Sequence, residues 1–233
     1  MVPVIATAQN LTEIKFEQGS WKEILELATK ENKPIFVDCY TVWCGPCKQM
    51  AAQVFTDPLV ADYFNSTFIN VKIDMEKSEG IDLKDFYEVN AFPTFLYLDK
   101  KGSLLNRIVG GMTAPKFLLA SKKGMSEHGL FAMKKRYNAG EREEEFIYAY
   151  LEILDNAFLK KEAQIVVENY FSNIEKSTLK ERRNWELFAK YIEDPNSDLF
   201  RYVHANRPGF YQLFGKEQVD LRMLTNNYSL IYN

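Results

Sequence analysis

The stretch Val42-Trp43-Cys44-Gly45-Pro46-Cys47-Lys48 decides how this chain is read. Two cysteines separated by two residues can close a small disulfide ring and open it again by thiol–disulfide exchange. The flanks place the pair at a strand-to-helix junction. Before it, Pro34-Ile35-Phe36-Val37-Asp38-Cys39-Tyr40 is an apolar, β-favouring run interrupted by Asp38. After it, Met50, Ala51 and Val54 recur at helical spacing. A helix that starts at the motif turns its free N–H groups and the positive end of its dipole toward the first sulfur. That stabilises the thiolate, the reactive form of cysteine.

Further out, Ser20-Trp21-Lys22-Glu23 reads as a capping box. The helix it opens carries Trp21, Ile24, Leu25 and Ala28 on one face and ends at Glu31-Asn32-Lys33-Pro34. Thr56-Asp57-Pro58 starts a second helix, with proline tolerated in the first turn. Residues 68–74 read as a strand and 82–89 as a short helix. Residues 94–98 and 104–109 are strands joined by the hairpin-like Asp99-Lys100-Lys101-Gly102. Thr113 caps a helix through Ala120. Strands alternating with helices, then a hairpin and a helix, predict an α/β domain over 9–123 with a mixed sheet covered on both faces.

Beyond Lys123 glycine and proline become sparse and helical patterns dominate. Leu130 with residues 133–137 makes one helix, ended by Asn138-Ala139-Gly140. Phe146, Ala149, Tyr150, Ile153, Leu154 and Ala157 form an apolar stripe. Ile165, Val166, Tyr170 and Phe171 form another, and Trp185, Phe188, Ala189 and Ile192 a third. Arg207-Pro208-Gly209 breaks the chain, and 219–224 starts a last helix. The match to a tetratricopeptide pattern is poor, so an irregular all-α domain is expected over 124–233. With no stop signal in Tyr228-Ser229-Leu230-Ile231-Tyr232-Asn233, the array can continue in a longer parent protein. Most of the aromatic residues in this half are expected in its core.

The chain has 233 residues, a net charge of −3 and a hydrophobic fraction of 46%, which suits one large or two small globular domains. Weak negative charge gives no reason to expect nucleic acid as a partner. No apolar run approaches the roughly 20 residues of a spanning helix. Three cysteines cannot make a secreted disulfide framework; two belong to the pair and Cys39 is left over. At the start, Val2-Pro3-Val4-Ile5-Ala6-Thr7-Ala8-Gln9 reads as the end of an export signal. Residues 1–8 would be its remnant, with cleavage after the small-x-small Ala6-Thr7-Ala8. This favours a periplasmic or otherwise exported protein; a plain N-terminal segment of a cytoplasmic one is the alternative.

The cysteine pair has three readings: a redox centre, an inert disulfide, or part of a metal site. Zinc needs four ligands, and the two histidines, His128 and His204, lie in the helical half. Cys39, Cys44 and Cys47 copy the start of an iron–sulfur spacing, but there is no fourth cysteine. Both metal readings are disfavoured. Asp38, in an apolar strand, is expected buried with a raised pKa.

Trp-Cys-Gly-Pro-Cys-Lys after Phe36-Val37-Asp38 resembles thioredoxin, and the resemblance spans 20–123. It also rests on Asp38 standing six residues before Cys44, on Phe92-Pro93-Thr94 opening a strand, and on Gly110 following the next one. The continuation Phe55-Thr56-Asp57-Pro58-Leu59-Val60 is similar to the C-terminal domain of membrane thiol:disulfide interchange reductases. The resemblance implies a thioredoxin fold. It also implies a thiol–disulfide oxidoreductase, reducing or isomerising protein disulfides, whose cofactor is the Cys44/Cys47 disulfide itself, with no dissociable group. Cys44 is the nucleophile, with a partly exposed sulfur; Cys47, deeper, is the resolving thiol. Asp38 is the base that deprotonates Cys47. Gly45-Pro46 tunes the pair toward reduction. Pro93 is cis, its loop faces Cys44, and Phe92 offers backbone hydrogen bonds to substrate. Trp43 covers the sulfur and helps dock substrate. The family often pairs its buried acid with a lysine on the next strand; by that count the position holds Asn70, with Lys72 two residues on. Expected partners are disulfide-containing proteins and a dithiol electron donor. The alternative is an interaction or scaffold protein that uses the fold as a docking platform and whose helical domain binds a partner.

Overall fold

The computed structural model describes residues 13–228. The export-signal reading of residues 1–8 and the chain end lie outside them. Within the first unit the elements run α1 (Trp21–Glu31), β1 (Ile35–Tyr40), α2 (Gly45–Gln49), a π turn (Met50–Val54), α3 (Pro58–Thr67), β2 (Ile69–Asp74), α4 (Glu79–Phe86), β3 (Thr94–Leu98), β4 (Leu104–Val109), α5 (Ala114–Gly124) and α6 (Leu130–Asn138). The sheet order is β2-β1-β3-β4. β1 pairs parallel with β2 and antiparallel with β3, which pairs antiparallel with β4.

Side-chain alternation along β1 builds two cores. Ile35, Val37 and Cys39 face an aliphatic cluster with Ile24, Ala28 and Leu96. Phe36 faces an aromatic one with Phe55, Phe64, Phe95 and Phe117. There Phe36 meets Phe64 edge-on at 4.6 Å and Phe64 stacks on Phe117 at 5.1 Å, packing that adds to simple area burial. Both faces of β1 are thus held, and its C-terminal end delivers Asp38 and the redox loop to a fixed place.

Local chemistry explains the ends. Ser20 and Glu23 form the capping box, and Asn32 in the left-handed region closes α1. Asp57 accepts from the N–H groups of Leu59 and Val60 ahead of Pro58. Helix α4 starts at Glu79, earlier than the expected 82. Gly80 packs so closely on β2 that a Cβ there would stand 2.0 Å from the Asp74 carbonyl oxygen. The buried Arg107 of β4 donates to the Tyr87 and Glu88 carbonyls at the end of α4, where a cation offsets the helix dipole. Helix α5 runs past the expected Ala120 to Gly124. Its polar Ser121 is absorbed by hydrogen bonds to the Phe117 carbonyl (2.7 Å) and the Tyr97 hydroxyl (2.6 Å).

The first unit extends through Glu141 and includes Asn156–Phe158, while the second takes Arg142–Asp155 and continues from Leu159. The division falls later than residue 123, and α6, expected in the helical half, packs on β4. The second unit holds α7 (Glu144–Asn156), α8 (Lys160–Ser172), a 3-10 turn (Lys176–Lys180), α9 (Arg182–Tyr191), α10 (Asp198–Ala205), α11 (Arg207–Phe214) and α12 (Lys216–Tyr228). Its core is aromatic: Trp185 stacks on Phe214 at 4.9 Å, and Phe188 meets Phe200 at 4.9 Å. In α8 the buried rows are Ala163, Val166, Val167, Tyr170 and Phe171, whereas Ile165, expected inside, is 56% exposed. Residues 163 and 167, like 166 and 170, are one turn apart and share the inner face; 165 falls outside those rows. Pro208 sits in the first turn of α11 rather than in a loop, and the break is Asn206 alone. Among the described residues no helix is long and apolar enough to cross a membrane.

Candidate active site

Cys44 is the N-cap of α2, with Gly45 and Pro46 opening the helix and Cys47 one turn on. The two cysteines form a disulfide with Cα atoms 5.3 Å apart. The Cys47 N–H donates to Cys44 Sγ at 3.1 Å. Negative charge developing on that sulfur would therefore be met by a backbone donor and the helix dipole. Cys44 is only 3% exposed in this disulfide form, against 4% for Cys47. This corrects the expectation of a partly exposed first sulfur: the ring turns Cys44 Sγ back over its own helix. Gly45 is open, with no atom within 4 Å of where a Cβ would stand.

Asp38 is 1% exposed. Directly opposite it in the β1–β2 register stands Lys72, whose Nζ is 3.8 Å from Asp38 Oδ2. Neither Asp38 oxygen has a hydrogen-bond partner among the described residues. Burial pushes its pKa up to about 7, against the opposing pull of Lys72. Asp38 can thus exchange a proton near neutral pH. Lys72, not the counted position at Asn70, supplies the cation. Asn70 instead ties β2 to the Phe64 carbonyl and Asn65.

The Phe92–Pro93 peptide is cis. Gly110, in the left-handed region, donates its N–H to the Pro93 carbonyl at 2.8 Å and links this loop to the end of β4. Trp43 is 64% exposed, meets Phe92 edge-on at 6.1 Å, and donates from Nε1 to Glu76 at 2.9 Å. Glu76 went unread in the sequence because it lies in a turn with no motif around it. Cys39 lies on the aliphatic face, fully buried, its thiol pushed up by burial and by the neighbouring Asp38 charge. It is a core residue.

A redox-type disulfide at a helix start, with a buried acid on the preceding strand, defines a thiol–disulfide exchange centre. Residues 21–124 match the thioredoxin-like domain family. Mitochondrial thioredoxin-3 of Saccharomyces cerevisiae is 34% identical over 117 residues, covering 46% of this chain and 86% of that protein. A thiol:disulfide interchange protein DsbD from Haemophilus ducreyi is 34% identical over 97 residues, which is 40% of this chain and 17% of that protein. A structure from Bacteroides thetaiotaomicron, proposed to be a disulphide-isomerase, is 47% identical with a TM-score of 0.47. It covers 51% of this chain and 98% of its own. The chain belongs to the thioredoxin family and is a thiol–disulfide oxidoreductase with a helical region after its thioredoxin-like domain.

Proposed function

We propose that the protein reduces disulfides of exported polypeptides, taking electrons from a dithiol donor. The observation that carries this reading is the Cys44–Cys47 disulfide at the start of α2, reached from a strand whose buried Asp38 has its pKa pushed up to about 7. In the reduced protein the Cys44 thiolate attacks a substrate sulfur. A Cys44–substrate disulfide forms and the second substrate sulfur leaves as a thiolate that takes up a proton. Asp38 accepts the Cys47 proton, and the Cys47 thiolate attacks Cys44 Sγ. The first substrate sulfur is released, two electrons have passed to the substrate, and the Cys44–Cys47 disulfide is restored. The donor returns the electrons by the same exchange, so no dissociable cofactor is required. Trp43, Gly45, Pro46 and the Phe92-Pro93 loop form the surface on which substrate lies. The export-signal reading of residues 1–8 supports action outside the cytoplasm.

Cys47→Ser tests the reading, since it leaves the nucleophile and removes the resolving thiol. Under oxidising conditions it should accumulate mixed disulfides through Cys44, seen as dithiothreitol-sensitive adducts. No adducts, together with full retention of cellular function by the Cys44→Ser, Cys47→Ser double variant, would instead make the protein a docking platform.

A further inference from the structure

Beside Pro46 the first unit holds a cavity of about 550 Å³. Pro46, Gln49, Met50 and Gln53 form one wall, and Gly111 and Met112, after β4, form the other. No side chain lining it is ionisable. The π turn supplies Met50, Gln53 and Val54 to its lining. The Phe55 N–H bonds the Met50 carbonyl five residues back at 3.0 Å, which widens the helix just after the redox turn. Gln49 and Gln53, one turn apart, stand exposed at the rim. The Met112 N–H donates to Met50 Sδ at 3.3 Å and holds the two walls together. At the near end the walls almost touch, since a Cβ on Gly111 would stand 3.5 Å from Pro46 Cβ.

We propose that this cavity is a subsite that receives an uncharged, mainly apolar side chain of the substrate polypeptide, close in sequence to the cysteine under attack, and so selects among substrates. The inference rests on the reading that Cys44 attacks a polypeptide disulfide. Pro46 lies between the two cysteines, so a chain bonded to Cys44 passes the mouth of the cavity. An extended chain advances about 3.3 Å per residue, which brings a neighbouring side chain within reach. Two methionines supply a floor that adapts to different apolar shapes. The glutamine amides can bond the substrate backbone but offer no counter-ion, so a carboxylate or ammonium would lose its hydration without compensation. On the other flank the exposed Trp43 is tied to the charged Glu76, whereas no ionisable side chain lines the Pro46 side.

The test uses the full chain, reduced, in single turnover. The substrates are peptide disulfides that differ only in one residue next to the cysteine: Leu, Asp or Lys, on either side. Bis(2-hydroxyethyl) disulfide, too small to reach the cavity, is the reference. The expected result is a preference for Leu over Asp and Lys of about tenfold or more in the second-order rate constant on one side, the range an apolar pocket gives. Met112→Glu should raise the Lys-to-Asp ratio at least tenfold. Gln53→Glu, on an exposed residue, should shift the same ratio in the same direction and serves if Met112→Glu does not fold. Equal rates for the three peptides, or a ratio unmoved by either variant while the small disulfide is still reduced, would overturn the subsite. Failure to reduce any disulfide, the small one included, would overturn the enzymatic reading beneath it.

Discussion

Asn184 in the helical unit and Asp38 in the sheet unit are equally buried, each 1% exposed. Asn184 accepts from the Tyr148 hydroxyl at 2.9 Å and donates to the Thr178 carbonyl at 3.2 Å, so its amide works at both ends. Asp38 has a lysine at a long ion-pair distance of 3.8 Å and, among the described residues, neither oxygen hydrogen-bonded. A buried polar group whose partners are complete holds a fold together. One left short of partners is kept at a cost, and here it lies on the strand that leads into the reactive disulfide. Asn184 is a buried polar residue built for packing, and Asp38 is one placed for chemistry.

The largest effect tests the reactive end of that contrast. Cys44→Ser should lower disulfide reduction by at least about a thousandfold, because the nucleophile is gone. Cys39→Ser, on the other face of β1, should leave turnover within twofold. Next comes packing. Phe188, fully buried between Trp185 and Phe200, should cost about 3–5 kcal/mol when cut to alanine, read as a lower urea midpoint for the helical signal.

Asp38→Asn tests the unsatisfied carboxylate. The folded-state pKa of about 7 lies above the ordinary 3.8, so the native protein holds this proton more tightly than the unfolded chain. Its contribution to stability is full below pH 4, declines from pH 4 to pH 7, and is flat above. The variant removes that decline. It should be more stable than the parent at pH 8, by up to about 4 kcal/mol, and no more stable at pH 4. It should also slow release of substrate from the mixed disulfide. Asn184→Ala should act oppositely, destabilising by about 1–3 kcal/mol, and equally at pH 5 and pH 8. A pH-dependent loss at Asn184, or a pH-independent gain at Asp38, would break the comparison.

The sheet unit was more legible than the helical one because its signals are local. The capping box, Asp57-Pro58, the hairpin turn and the alternation of β1 each act within a few residues, and β4 matches its expected bounds of 104–109. Where the reading slipped, a distant partner decided. Helix α4 starts early because Gly80 fits under β2, and α5 runs long because Tyr97 takes up Ser121. Ile165 looked like a core residue by type, yet the rotation of α8 is set by the helices around it. At the site, the Cys44/Cys47 pair at a helix start and the burial of Asp38 in an apolar strand were legible in the residues themselves, while the role of Asp38 came only with the resemblance. The Lys72 pairing depended on strand register and the burial of Cys44 on the closed ring, and the cavity beside Pro46 is lined in part by a π turn with no sequence pattern of its own.

The central claim is that Cys44 and Cys47 form a reversible two-electron centre. The most direct measurement equilibrates the protein with glutathione buffers of graded potential, quenches by alkylation and weighs the products. The account predicts one transition in which exactly this pair gains or loses two alkyl groups together, with Cys39 unchanged, at a potential nearer the about −270 mV of thioredoxin than the about −120 mV of strong oxidants. A disulfide that stays closed across the whole range, or a transition that involves Cys39, would contradict it.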